Sequence, residues 1–179
     1  PMHPITAFGL TACALAVLIS RSSLSLRVRR IAVSTLAMII LLFGIAVMAE
    51  YVLGWDFRID RIFFGEPLQS YPPYPGRPAA QSALNCILAG GALLMLQSSR
   101  IHVQAAQTAS LLILANAVIA LTGYVFDVGA LYRFPVNVPQ TGMSVPTALA
   151  FASIALALLC SRPGAGVMVL VTSDSASAA

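Results

Sequence analysis

The stretch LGWDFRIDRIFFGEP, Leu53 to Pro67, puts five charged side chains directly after an apolar run: Asp56, Arg58, Asp60, Arg61 and Glu66. Carboxylates and guanidinium groups this close together can hold a polar ligand. If the helix continues, Asp56 and Asp60 share one face, and Arg58 or Arg61 offsets their repulsion. A solvated helix end with local ion pairs has the same composition. Glu50, beside Tyr51, is more demanding. It lies about one turn inside the apolar run, where a carboxylate needs a partner or water. Asp127 follows a later run in the matching region, so the two acids are expected at one rim.

Tyr51, Trp55, Tyr71, Tyr74, Tyr124 and Tyr132 cluster at the ends of apolar runs, as in the aromatic belts of membrane proteins. Some of them, with Arg133 and Thr147, could line a slot for a flat amphiphile such as a quinone, or for a lipid. The expected ligand-binding set is therefore Glu50, Tyr51, Trp55, Asp56, Asp60, Arg61, Tyr124, Asp127, Tyr132, Arg133 and Thr147. Met2, His3 and Met143 offer soft sulfur and imidazole ligands, and a copper site is the weaker alternative. Cys13, Cys86 and Cys160 make no CxxC pair and read as small buried hydrophobes. Asn85 and Asn116 lie inside apolar runs, where interhelical hydrogen bonding is the ordinary role. Gly90 and Gly91 suit close helix packing. No catalytic constellation stands out, so this chain reads as non-enzymatic.

The chain that must position these residues is 59% hydrophobic and only 9% charged. A soluble domain carries about a quarter charged residues. The expected class is an all-α integral membrane protein with five transmembrane helices, at about 4–20, 30–53, 79–96, 103–126 and 144–160. The runs are continuously apolar, which argues against the alternation of a membrane barrel. Loops 55–78 and 127–143 are rich in proline and aromatics, and a tail covers 161–179.

All ten basic residues are arginine, giving a formal charge of +4. Arg21, Arg27, Arg29, Arg30, Arg100 and Arg162 fall on one side of the expected bilayer, with no acid before Asp174. The positive-inside rule makes that side cytoplasmic and places the N-terminus and loops 55–78 and 127–143 outside. Charge placed between apolar runs argues for membrane orientation and against nucleic-acid binding.

The odd-numbered runs open alike, with a proline-containing lead-in and then Thr6, Ser82 or Thr147. The even runs close alike, as AEYVLGWD and TGYVFDVG, which aligns Tyr51 with Tyr124. The expectation is two parallel-repeated helical hairpins plus a fifth helix.

EYVLGWDFRIDRIFF, PGRPAAQSALNCILAGGALLML and the closing MSVPTALAFASIALALLCSRPGAGVMVLVTSDSA together resemble the N-terminal multi-span sensor region of bacterial sensor histidine kinases and diguanylate cyclases. The most specific pieces are Glu50 to Asp60 and Thr172 to Ala176. The resemblance implies a signal-input module in the bacterial inner membrane that detects a stimulus at its external face or outer leaflet. It implies cytoplasmic PAS, kinase or GGDEF modules beyond Ala179, and a homodimer. The alternative is a small transporter or channel, or an accessory subunit of a membrane complex.

Overall fold

The structure is a computed structural model that describes residues 4–54, 78–97, 100–133 and 142–169. These residues form six helices and no strand: α1 (Pro4–Ser20), α2 (Leu26–Leu53), α3 (Ala80–Met95), α4 (Arg100–Val125), the single-turn α5 (Gly129–Tyr132) and α6 (Val145–Leu159). The all-helical expectation is met. Two helices, α2 and residues His102–Val125 of α4, are long and apolar enough to cross a membrane. The sequence reading expects five such helices. The other three are apolar but stop at 15–17 residues. At ~1.5 Å per residue they reach roughly 22–26 Å, short of a hydrocarbon core of ~30 Å.

Hydrogen bonds between helices define the two ends of the bundle. At one end Arg21 donates to Cys160 O, Arg30 to Gln97 O and Arg162 to Leu96 O. This arginine end gathers the end of α1, the start of α2 and the ends of α3 and α6. At the other end Tyr51 donates to Pro78 O, Tyr124 to Met143 O and Gln81 to Leu131 O. This tyrosine end gathers the end of α2, the start of α3, the end of α4 and the lead-in to α6. The long helices therefore alternate in direction.

α3 is the centre of the bundle and touches α1, α2, α4 and α6. Its closest approach is to α2. A Cβ on Gly44 would stand 2.8 Å from Ala83 O and Ile87 N, and one on Gly90 would stand 2.8 Å from Ala37 O and Leu41 N. The two glycines thus bring the backbones of antiparallel helices into contact. Gly91, next in sequence, has nothing within 4 Å of a built Cβ and takes no part.

Burial repeats along the chain. Shifting α2 by the 73 residues that separate Tyr51 from Tyr124 carries Val33, Ala37, Ile40, Gly44, Val47 and Glu50 onto Ala106, Ser110, Ile113, Ala117, Ala120 and Gly123 of α4, and all twelve are buried. α1, α3 and α6 match likewise. Thr6, Ser82 and Thr147 are all buried at the third position of their helices, and so are Cys13, Ala89 and Ile154 seven residues on. The heaviest contacts join α2 to α3 and α4 to α6, so the tightest pairs run from the second apolar run into the third and from the fourth into the fifth. The sequence pairing of the first run with the second followed chain order alone. In the α4–α6 pair, Ala117 and Ala155 stand where Gly44 and Gly90 stand in the α2–α3 pair.

Gly90→Ala should cost about 1–3 kcal/mol, because the added methyl meets backbone that cannot rotate away. Gly91→Ala should be neutral or stabilising, by up to ~1 kcal/mol of helix propensity. Unfolding of both variants in mixed micelles checks the pair, and equal stabilities would contradict the close approach.

Candidate functional site

The tyrosine end holds a set of uncharged polar side chains inside the helix bundle. Gln81 and Asn85 lie one turn apart on α3 and meet Asn116 of α4. The Asn116 amide nitrogen donates to Asn85 Oδ1 at 2.9 Å and to Gln81 O at 3.3 Å. Asn85 is fully buried, and its own amide nitrogen lies 3.9 Å from the Met143 thioether, a weak acceptor. Gln81 Nε2 donates to Leu131 O at 2.9 Å, which ties α5 down onto α3. Gln81 Oε1 is buried with no hydrogen-bond partner among the described residues. An acceptor left in that condition costs about 1–3 kcal/mol.

The aromatic part of the site starts from a helix ending. Asp127 adopts φ 53°, the left-handed conformation of a helix stop, and Val128 N donates to Gly123 O at 2.8 Å. The chain then turns back, so that Leu131 and Tyr132 press on Gly123, where a Cβ would sit 2.8 Å from Leu131 Cβ. Tyr132 stacks on Tyr124 with ring centroids 4.0 Å apart and an interplanar angle of 16°. The Arg133 guanidinium lies 5.3 Å from the Tyr132 ring centroid, within cation–π range. Met143 N donates to Tyr132 O at 2.8 Å and Arg133 bridges to Gly142, which closes the loop at its base.

Two equivalent tyrosine bonds fasten the helix starts. Tyr51 OH donates to Pro78 O at 2.9 Å, two residues before α3 begins. Tyr124 OH donates to Met143 O at 3.0 Å, two residues before α6 begins. Four residues after each acceptor comes the buried hydroxyl of Ser82 or Thr147, and Thr147 shares a 2.9 Å hydrogen bond with Ser144.

Of the residues expected from the sequence, Tyr124, Tyr132, Arg133, Met143 and Thr147 come together around the α6 lead-in. Tyr51 sits at the matching place by α3. Glu50 is buried, at 3% exposure, on the inward face of α2. Its counterpart under the 73-residue shift is Gly123, and Asp127 follows four residues later at the same end of the bundle. Asp127 is an exposed helix stop. The stacked tyrosines lie at contact distance, with no room for a third ring between them. Trp55, Asp56, Asp60 and Arg61, with Met2 and His3, lie outside the described residues. Among the described residues, no group of three or more His, Cys, Asp or Glu side chains could hold a metal ion.

Sequence reasoning left Gln81 and Gln107 unremarked, whereas the interhelical hydrogen bonding expected of Asn85 and Asn116 is the bond they make to each other. Gln107 is fully buried at the arginine end, where it donates to Arg162 O and Ala165 O and accepts from Val167 N. The available signal was amides set inside apolar runs: 81 and 85 on α3, 107 and 116 on α4. Comparison with family models, with curated proteins and with solved structures finds no match for this chain.

Asn85→Leu and Asn116→Leu should each destabilise the bundle. In a double-mutant cycle they should couple by about 0.6–1.7 kcal/mol, the range for hydrogen bonds between membrane helices. Additive losses in mixed-micelle unfolding would contradict the bond between them.

Proposed function

We propose that α1, α2, α3, α4 and α6 all cross a lipid bilayer as two repeated helix pairs and a further helix, and that the chain is the signal-input module of a bacterial inner-membrane protein. Support for the membrane comes from the outward surfaces. Only 28% of the most apolar 18-residue stretch of α2 is buried within the protein, and the same holds for α4, so neither behaves as the core helix of a soluble domain. The shorter helices also turn leucines outward: Leu15 and Leu18 on α1, Leu84 on α3, Leu149 and Leu156 on α6. A span of 15–17 residues is accommodated by local thinning of the bilayer, at a cost of fractions of a kcal/mol per Å. The arginine end takes the cytoplasmic side by the positive-inside rule.

The observation that carries the signalling reading is how α6 is held. At the tyrosine end its lead-in residue Met143 is bonded by Tyr124 of α4 and approached by Asn85 of α3. At the arginine end Arg21 from α1 donates to Cys160 O, Arg162 donates to Leu96 O of α3, and Gln107 of α4 donates to Arg162 O. Between these clamps α6 is apolar and packs through Ala148, Phe151 and Ala155. A helix clamped at both ends and smooth between them delivers a displacement at one end to the other. A stimulus acts on such a device only if it favours one of two arrangements. Gln81 Oε1, buried and without a partner among the described residues, is the acceptor that a donor-bearing stimulus would engage.

Fused to a histidine-kinase output domain in cells, Asn116→Leu and Tyr124→Phe should each shift basal autophosphorylation by roughly twofold to thirtyfold at equal membrane abundance, the span of 0.5–2 kcal/mol of coupling. Wild-type output from both variants would overturn the signalling reading. Orientation has its own test, because Cys160 is exposed while Cys13 and Cys86 are buried. A membrane-impermeant maleimide should label inside-out vesicles and spare intact spheroplasts. The opposite pattern would reverse the assigned topology.

A further inference from the structure

The arginine end carries a feature that clamping α6 does not use. A partly open cleft of about 650 Å³ lies between the α1–α2 turn, the end of α3 and the segment after α6. Arg21, Arg27, Arg29, Arg30 and Arg162 line it, and among the described residues no acid does. Among the described residues the only acids are Glu50 and Asp127, both at the tyrosine end. Five guanidinium groups around one hollow repel one another, and an anion relieves that repulsion.

Four of these arginines spend one donor each on a backbone carbonyl. Arg21 donates to Cys160 O, Arg29 to Ser22 O, Arg30 to Gln97 O and Arg162 to Leu96 O. Each guanidinium has five donors, so most remain free. Among the described residues the Arg27 side chain has no hydrogen-bond partner. Ser25, at the N-cap of α2, makes no side-chain capping bond, so first-turn N–H groups beside Leu26 and Arg27 add to the positive field. The wall of the cleft is apolar where it meets the bundle, through Val33, Leu93 and Leu96. Planar forks of N–H donors suit phosphate oxygens better than they suit halide or a single carboxylate.

We infer that this cleft binds a phosphate group, presented by an anionic phospholipid of the arginine-side leaflet with its glycerol and upper acyl chain against the Val33–Leu93–Leu96 wall. The inference rests on the membrane reading above. A bound phosphate would bridge the α1–α2 turn, α3 and the α6 exit, so lipid composition would set how firmly the signalling helix is held.

The test uses the full chain in nanodiscs of phosphatidylcholine alone, or of equal parts phosphatidylcholine and phosphatidylglycerol. Resistance to alkaline carbonate extraction, measured first on native membranes, judges the membrane reading by itself. Phosphatidylglycerol should raise the melting temperature and stay bound in native mass spectrometry. Arg27→Gln, which disturbs no helix-end bond, should weaken retention roughly fivefold, and Arg27→Gln with Arg30→Gln roughly twenty-five-fold. Arg77→Gln, the same charge change in loop 55–78 on the opposite side, should leave retention unaltered. Stabilisation by inorganic phosphate in phosphatidylcholine discs, lost in Arg27→Gln, would support the phosphate site with a free ion as its source. A carbonate-resistant protein whose phosphatidylglycerol retention is the same in wild type, Arg27→Gln and the double variant overturns the inference while the membrane reading stands.

Discussion

Apolar surface turned outward constrains everything else in this chain. Leu42, Ile45, Leu112, Ile119 and Leu149 are each about half exposed on the flanks of their helices. In the hydrocarbon proposed to surround them, a backbone group finds no partner outside the protein, so each helix must close its own ladder and every polar side chain must be answered from within. Amides and tyrosine hydroxyls gather at one end and arginines and Gln107 at the other, while mid-helix hydroxyls such as Thr11, Ser110 and Ser153 donate to carbonyls of their own helices. Attraction between apolar faces contributes little when the solvent is also apolar. Close packing of small residues takes its place, at Gly44 and Gly90, and again at Ala117 and Ala155.

The two ends do different work because their donors differ. Tyrosine and asparagine bonds are short and directional, and they fix where α3 and α6 begin. Tyr51 with Pro78 and Tyr124 with Met143 are the same device used twice. Arginine instead reaches across gaps to carbonyls that helix ends leave without an intrahelical partner, as at Leu96, Gln97 and Cys160. α3 and α6 are both fastened by the two kinds of bond, and the functional proposal centres on α6 as the last helix among the described residues.

Helical character was legible because a continuous apolar run can be little else. The observed helices begin and end within four residues of those runs. α5 was not anticipated, since four residues carry no periodicity, and its position depends on Leu131 and Tyr132 seating against Gly123. The conspicuous charges after Trp55 drew attention because charge is rare in this composition. Amides drew less, although Asn85 and Asn116 meet at 2.9 Å. Their convergence depends on the rotation of α3 relative to α4, which only tertiary packing sets. The alignment of Tyr51 with Tyr124 was visible in the letters, whereas the matching of Glu50 to Gly123 required the buried faces. The arginines were read through their side of the membrane alone, since a cleft between four helix ends leaves no local pattern.

The central claim is that the short helices, as well as the long ones, stand in lipid. Spin labels at Leu15, Leu84 and Leu149, one on each short helix and each facing outward, test it in reconstituted bilayers by power-saturation electron paramagnetic resonance. The account predicts that all three sites are reached by dissolved oxygen and shielded from a water-soluble nickel chelate. Collision with the chelate at Leu149 or Leu15 as frequent as at an aqueous loop would contradict it, and would leave α2 and α4 as the membrane-crossing helices.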